Sequence, residues 1–275
     1  MTLYLSPEIT PEEIEKAKLA GIAGVKSYPK GVTTNSDAGV VSYEQYYPVF
    51  EAMQKHDLVL NLHGEVPTSP EYPDITVMSA EEAFLPTLHT IHSAFPQLRI
   101  VLEHCTTKAA VDAVKQCGPT VSATITAHHL FLTVDAWADN VFSYCKPVAK
   151  LPADRDALRE AATSGDPRFF FGSDSAPHPV TSKVRGKGTA AGVFTQPYAL
   201  SYVAQVFHEL GKMDNLEKFT SLNGRRFYKL DKAVVSERVQ LTPDGTHIKE
   251  TLGSEALTIV PFMAGENLTY RVQWK

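Results

Sequence analysis

The sequence predicts a parallel α/β fold, with a (β/α) barrel as the leading architecture and a doubly wound sheet as the runner-up. Three observations predict it. Short apolar runs without strict polar alternation recur along the chain, the pattern of strands buried on both faces. Helical stretches with their own start and stop signals separate most of these runs, as βαβ units require. The length, 275 residues, is enough for a sizeable core.

In chain order, strands are read at 2–6, 22–28, 57–64, 98–104, 120–126 and 168–174. The first helix is expected to be capped at Thr10, with Pro11 at its first position, Glu13 three residues after the cap, and Gly21 closing it. The segment 43–56 reads as the next helix, and Ser79 with Glu82 spells a capping box for the one after. Segments 106–117, 153–164 and 196–211 complete the helices. From about residue 232 the pattern changes, and 258-TIVPF-262 and 268-LTYRVQW-274 read as short β segments packed on the outside. The expected organisation is a single domain, 1–275, with the barrel in 1–230 and a β extension in 231–275.

Composition excludes several classes. A net charge of −5 without a basic run argues against nucleic acid as a partner. No apolar window reaches the ~20 residues that cross a bilayer, so no membrane partner is expected. The start, 1-MTLYLSPEITPEEIEKAK-18, lacks the basic and apolar regions of a secretory signal. Cys105, Cys117 and Cys145 show no CxxC spacing, which gives neither a disulfide framework nor a zinc finger and fits a reducing, cytoplasmic setting.

Function enters through the strand ends. The run 171-FGSDSAPH-178 carries a strand straight into Asp174, and three other strands end near Lys26, His63 and His104. In a parallel barrel those ends share one rim, where active sites are built. Two imidazoles, a carboxylate and a lysine make a metal set if the lysine takes up CO2, because the resulting carbamate is an anion with two oxygens. That reaction needs the neutral amine, and burial lowers a lysine pKa. Imidazole with carboxylate suits zinc. Each residue also has a plainer reading: a structural His, a lysine that snorkels to solvent, an Asp that caps a turn. The coincidence of four such ends favours the functional one. Cys105, beside His104, reads as a core thiol, and 128-HH-129 is adjacent rather than spaced as HxH.

Six stretches in collinear order, 24-GVKSYPKGVTTNS-36, 61-NLHGE-65, 102-LEHCTTK-108, 123-ATITAHHL-130, 145-CKPVAK-150 and 171-FGSDSAPH-178, resemble the class II dihydroorotases of the amidohydrolase superfamily. The resemblance covers about residues 1–230 and implies a TIM-type (β/α)8 metal-dependent hydrolase barrel with a short C-terminal β tail. It implies zinc-dependent, reversible hydrolysis of the cyclic amide of dihydroorotate, with two zinc ions per subunit. Lys26 would be the carboxylated lysine between them, and His63 and His104 would complete the second zinc's shell. Asp174 would bind the first zinc and act as general base and acid. His178 would hold the substrate carboxylate, with backbone contacts from Lys146 and Ala191, and His63 also lies against substrate. Thr33 and Thr34 would belong to a loop that closes over the site. A homodimer is expected by the same resemblance.

The sequence departs from the family pattern in one respect. The His-x-His-x-Arg motif of the family's first strand and the Asn of its second are absent. Strand 2–6 corresponds to the family's third, so the barrel is expected to lack its first two strands. The first zinc site then keeps only Lys26 and Asp174. The expectation is a truncated product of such an enzyme. Two alternatives stay open: another cyclic-amide hydrolase of the superfamily, hydantoinase-like or phosphotriesterase-like, and a non-catalytic protein that keeps the fold.

Overall fold

The computed structural model describes residues 1–32, 36, 38–184, 188–230, 238–254 and 257–275. The chain divides into two compact units, Met1–Thr124 and Ile125–Lys275.

The first unit alternates strand and helix: β1 (Thr2–Tyr4), α1 (Pro11–Leu19), β2 (Gly24–Ser27), α2 (Tyr47–His56), β3 (Val59–His63), α3 (Ala80–Ala94), β4 (Ile100–Glu103) and α4 (Lys108–Cys117), running into β5 (Val121–Ile125). Each strand pairs in parallel with the next, with Tyr4 opposite Lys26, Lys26 opposite Asn61, His63 opposite Glu103, and Leu102 opposite Ala123. The apolar runs are buried on both faces, as Val25, Val59, Leu60, Leu62, Ile100, Val101, Leu102, Val121 and Ala123 show. Val49, Phe50 and Met53 of α2, Phe84, Leu88 and Ile91 of α3, and Val111 and Val114 of α4 complete the core. Gly24 is required by close approach, because a Cβ there would stand 2.3 Å from the Val59 carbonyl oxygen. The strands are shorter than the sequence runs, with β1 and β6 stopping well before the ends of theirs.

Helix starts follow the sequence at α1 and depart from it at α3. Thr10 Oγ1 accepts the Glu13 amide at 3.3 Å, and Pro11 opens the helix. The capping box predicted at Ser79 and Glu82 does not form. Ser79 makes no cap bond, and its hydroxyl instead accepts the Thr76 amide at 3.1 Å in the preceding turn. The neighbouring Glu81 is the buried acid: it accepts the Thr106 amide at 2.8 Å and the Thr107 hydroxyl at 2.5 Å. Thr107 in turn caps α4 through the Ala110 amide at 3.0 Å.

The second unit opens with the last residue of β5, whose carbonyl accepts the Gly172 amide at 3.3 Å. Its elements are α5 (Val134–Ala138), α6 (Pro152–Thr163), β6 (Phe169–Phe171), α7 (Val180–Lys183), α8 (Ala199–Glu209), α9 (Asn223–Phe227) and a β-rich tail. Tyr202, Val203, Val206 and Phe207 form the buried face of α8, and the Tyr202 hydroxyl donates to the Phe262 carbonyl. The tail holds three antiparallel ribbons built from β7 (Val239–Thr242), β8 (Thr246–His247), β9 (Leu252–Ser254), β10 (Leu257–Ile259), β11 (Asn267–Leu268) and β12 (Arg271–Trp274): β7 with β12, β8 with β11, β9 with β10. Three of these strands, β7, β8 and β9, carry no signal in the sequence reading. Among the described residues, no helix is long and apolar enough to cross a membrane.

Candidate active site

In the first unit, three of the residues singled out by the sequence come together. Lys26 is the third residue of β2, His63 ends β3, and His104 follows β4 directly. Consecutive parallel strands place these ends side by side. The rings of His63 and His104 lie 4.6 Å apart, edge to face. The Lys26 ammonium sits 4.6 Å over the Tyr28 ring, which itself lies 5.7 Å from His63.

Two acids join them that the sequence reading did not single out. Glu65 Oε2 lies 2.8 Å from His63 Nε2, both residues being buried. A carboxylate can only accept, so Nε2 carries the proton and Nδ1 keeps its lone pair. This is the arrangement by which a carboxylate orients a metal-binding imidazole. Burial pushes the His63 pKa down, against the opposing pull of Glu65, so the ring is held neutral. Glu103 forms an ion pair with the Lys26 ammonium. The signal for both acids is in the sequence, as letters within 61-NLHGE-65 and 102-LEHCTTK-108 next to His63 and His104. Only the pairing identifies them.

His104 has φ 45°, in the left-handed region. A non-glycine residue there is uncommon, and such conformations concentrate at functional sites. The Thr124 hydroxyl accepts the His104 amide at 2.7 Å and helps hold the turn. The donor chemistry of this cluster, two imidazoles with one oriented by a carboxylate and a lysine beside an acid, fits a zinc-type cation. Cys105 is fully buried, and burial raises its thiol pKa well above the ordinary value, as a core thiol requires.

In the second unit, Asp174 follows β6 by three residues and also takes a left-handed conformation, φ 39°. The residues after it are pinned. Ser175 Oγ accepts the Thr195 and Gln196 amides at 3.0 and 2.9 Å, and the Ala176 amide reaches the Val193 carbonyl at 3.0 Å. His178 Nε2 lies 3.0 Å from the Ala191 carbonyl oxygen and donates to it. Gly192 makes this closeness possible: a Cβ there would lie 2.8 Å from the His178 ring and 2.7 Å from the Ala176 carbonyl oxygen.

Lys183, which the sequence reading passed over, ties this wall together. It is 3% exposed, and its ammonium donates to the carbonyls of Tyr144, Ala190 and Gly192 at 3.0, 2.8 and 2.8 Å. The Tyr144 carbonyl also accepts the Gly192 amide at 3.0 Å. The bonds therefore bracket Ala191 and reach the segment that leads to Lys146. Burial pulls the Lys183 pKa down to about 8, so it remains charged at neutral pH. Thr33 and Thr34 lie outside the described residues.

Comparison with known proteins places the chain in a family. The Amidohydrolase family matches residues 3–230. A probable dihydroorotase from Schizosaccharomyces pombe is 53% identical over 275 residues, covering all of this chain and 80% of that protein. The crystal structure of dihydroorotase from Saccharomyces cerevisiae in complex with 5-fluoroorotic acid matches with a TM-score of 0.96 and 46% identity, over 100% of this chain and 80% of that one. The dihydroorotase structure from Campylobacter jejuni matches with a TM-score of 0.87 and 35% identity, over 99% and 77%.

Proposed function

We propose, from the premise that this chain belongs to the amidohydrolase family and within it to the dihydroorotases, that it catalyses reversible hydrolysis of the cyclic amide of (S)-dihydroorotate to N-carbamoyl-L-aspartate, a step of de novo pyrimidine synthesis. The observation that carries this reading is the match of all of this chain to 80% of the length of dihydroorotases, together with the Lys26, His63 and His104 cluster at the ends of β2, β3 and β4.

In this reading Lys26 is carboxylated to N6-carboxylysine, and Lys26, His63, His104 and Asp174 hold zinc. Bound zinc supplies Lewis acidity toward the amide carbonyl and lowers the pKa of water to about 7. The protein's own groups do the rest. Glu65 keeps His63 in the tautomer that presents Nδ1. Asp174 takes the proton from the attacking water and returns it to the departing ring nitrogen as the C–N bond breaks. In the opposite direction the same carboxylate manages the same proton for ring closure. His178, held by Ala191, meets the substrate carboxylate, and the backbones of Ala191 and Lys146 add hydrogen bonds. His63 borders the substrate. A carbamate on Lys26 places an anion beside Glu103, a pairing that cations would relieve. A homodimer and a cytoplasmic location belong to the same reading.

The test is ring opening of L-dihydroorotate by the 275-residue chain with zinc and bicarbonate supplied. Turnover that disappears with Asp174→Ala is expected. Turnover of hydantoin without any turnover of dihydroorotate would overturn the substrate assignment.

A further inference from the structure

A second cluster of ligating side chains lies within the second unit, among residues to which the proposed reaction gives no role. His128 and His129 stand in a single 3₁₀ turn after β5, and Cys145 lies on the segment before Lys146. Adjacent residues on a helix ordinarily point apart. Here the two imidazole rings lie 4.4 Å from each other. One ligand atom from each of the three residues falls within 4.8 Å of the others. All three are buried, with 0%, 1% and 3% exposure for His128, His129 and Cys145.

His128 is the informative member. Neither of its ring nitrogens has a hydrogen-bond partner. Buried polar atoms are nearly always satisfied, so a doubly orphaned imidazole needs an explanation, and an absent ion is one of the standard ones. Burial and the neighbouring His129 keep the ring neutral, which leaves a lone pair available.

His129 can ligate toward the same sulfur after one proton shift within its ring. Its Nε2 donates to the Pro147 carbonyl oxygen at 3.0 Å, and its Nδ1 accepts from Thr126 Oγ1 at 2.8 Å. Transfer of the proton to Nδ1, where Thr126 Oγ1 can accept it, would free the Nε2 lone pair on the side of Cys145 Sγ, 3.6 Å away. Such a bond to the distal nitrogen is how imidazole ligands are usually oriented. The thiol now donates to the Pro147 carbonyl at 3.2 Å.

We propose that His128, His129 and Cys145 form a site for a soft d10 cation, copper(I), separate from the residues assigned to catalysis. Thiolate with imidazole is a soft donor set. Charge chooses between the candidates. Binding releases one proton, from the Cys145 thiol, and forms the Cu–S bond without any change of oxidation state. One thiolate and a monovalent cation make a neutral buried complex. A zinc ion would leave a net positive charge, which a buried site disfavours. The Lys183 ammonium, close enough to sense Cys145, opposes a divalent ion further.

The test is titration of the zinc-loaded chain with copper(I) buffered by bathocuproine disulfonate, read by sulfur-to-copper absorption in the near ultraviolet and by X-ray absorption. One copper(I) per chain with one sulfur and two nitrogen ligands is expected. Cys145→Ser and His128→Gln should each weaken binding at least 100-fold while thermal melts confirm folding. Should Cys145→Ser fail to fold, Thr126→Val serves instead, and a weakening of about 10-fold is expected from loss of the His129 orientation. Copper held by two sulfurs, or bound equally well by Cys145→Ser, would overturn the proposal and point to other thiols. Zinc bound by these three residues in preference to copper(I) would overturn the charge argument and the proposal with it.

Discussion

The two units present their polar groups in opposite ways. In residues 1–124, side chains meet side chains: Lys26 with Glu103, His63 with Glu65, His63 with His104. In residues 125–275, a few side chains organise backbone: Lys183 gathers three carbonyls, Ser175 gathers two amides, and His178 takes the Ala191 carbonyl. The difference teaches what each region is suited to. A set of imidazoles and carboxylates offers ligands whose protonation can be tuned. A wall of fixed amides and carbonyls offers shape and orientation at little cost in reorganisation.

This contrast can be broken most sharply at its chemical ends. Lys26→Ala is expected to remove zinc along with dihydroorotate turnover, whereas Asp174→Ala should lower turnover by at least about 10³-fold, near the upper range of a lost acid–base group. Metal analysis beside steady-state kinetics checks both, and full activity in either variant would refute the assignment. Glu65→Gln comes next. It leaves His63 in place but exchanges its oriented partner, and an outer-sphere change of this kind is expected to weaken metal affinity by about 10–100-fold. Competition with a zinc chelator measures it.

Changes in the second region should have another signature. Lys183→Met removes the donor shared by three carbonyls; that of Tyr144 keeps the Gly192 amide, and for the other two a cost of about 1–3 kcal/mol follows from each that cannot find another partner. Denaturant unfolding reads that loss. KM for dihydroorotate should rise more than kcat falls if, as proposed, the wall positions substrate rather than moving protons. An equal fall in kcat with KM unchanged would contradict that division. Back in the first region, Glu81→Ala removes the acceptor for the Thr106 amide and Thr107 hydroxyl, with an expected loss of about 1–3 kcal/mol and little effect on KM.

The smallest effect concerns pH. Burial lowers the His128 pKa well below its ordinary value, and an unfolded His titrates near 6.5. Between those values the unfolded chain binds more protons than the folded one. The stability contribution is therefore complete above about pH 6.5 and is lost as pH falls toward the folded value. His128→Leu should flatten the decline of Tm between about pH 6.5 and 5 by roughly 2–4 °C, the shift that about 1 kcal/mol produces in a chain of this size class. His63, lowered for the same reason, leaves a residual slope. Parallel curves for the two proteins would refute the account.

Much of the fold is legible in the sequence alone. The runs at 22–28, 57–64 and 98–104 read as buried parallel strands because their apolar residues do not alternate. Thr10 and Pro11 read as a helix start because capping is local chemistry. Lys26, His63 and His104 stood out because a polar residue ending an apolar run is visible in one dimension. Where local signals failed, another local bond competed: Ser79 had the letters of a capping box with Glu82, yet its hydroxyl went to the Thr76 turn.

The sequence by itself determined strands β1 to β6, the principal helices and the strand-end donors, since each depends on residues within a few positions of one another. Tertiary structure alone decided which partner each buried charge would find. Lys26 meets Glu103 from 77 positions away, Glu81 meets Thr106 from 25, and Lys183 meets the Tyr144 carbonyl from 39. It also decided that 128-HH-129, unremarkable as letters, would be buried against Cys145. The physical reason is that removal from water makes a polar group depend on a partner. No local pattern specifies which distant residue the folded chain will bring to it.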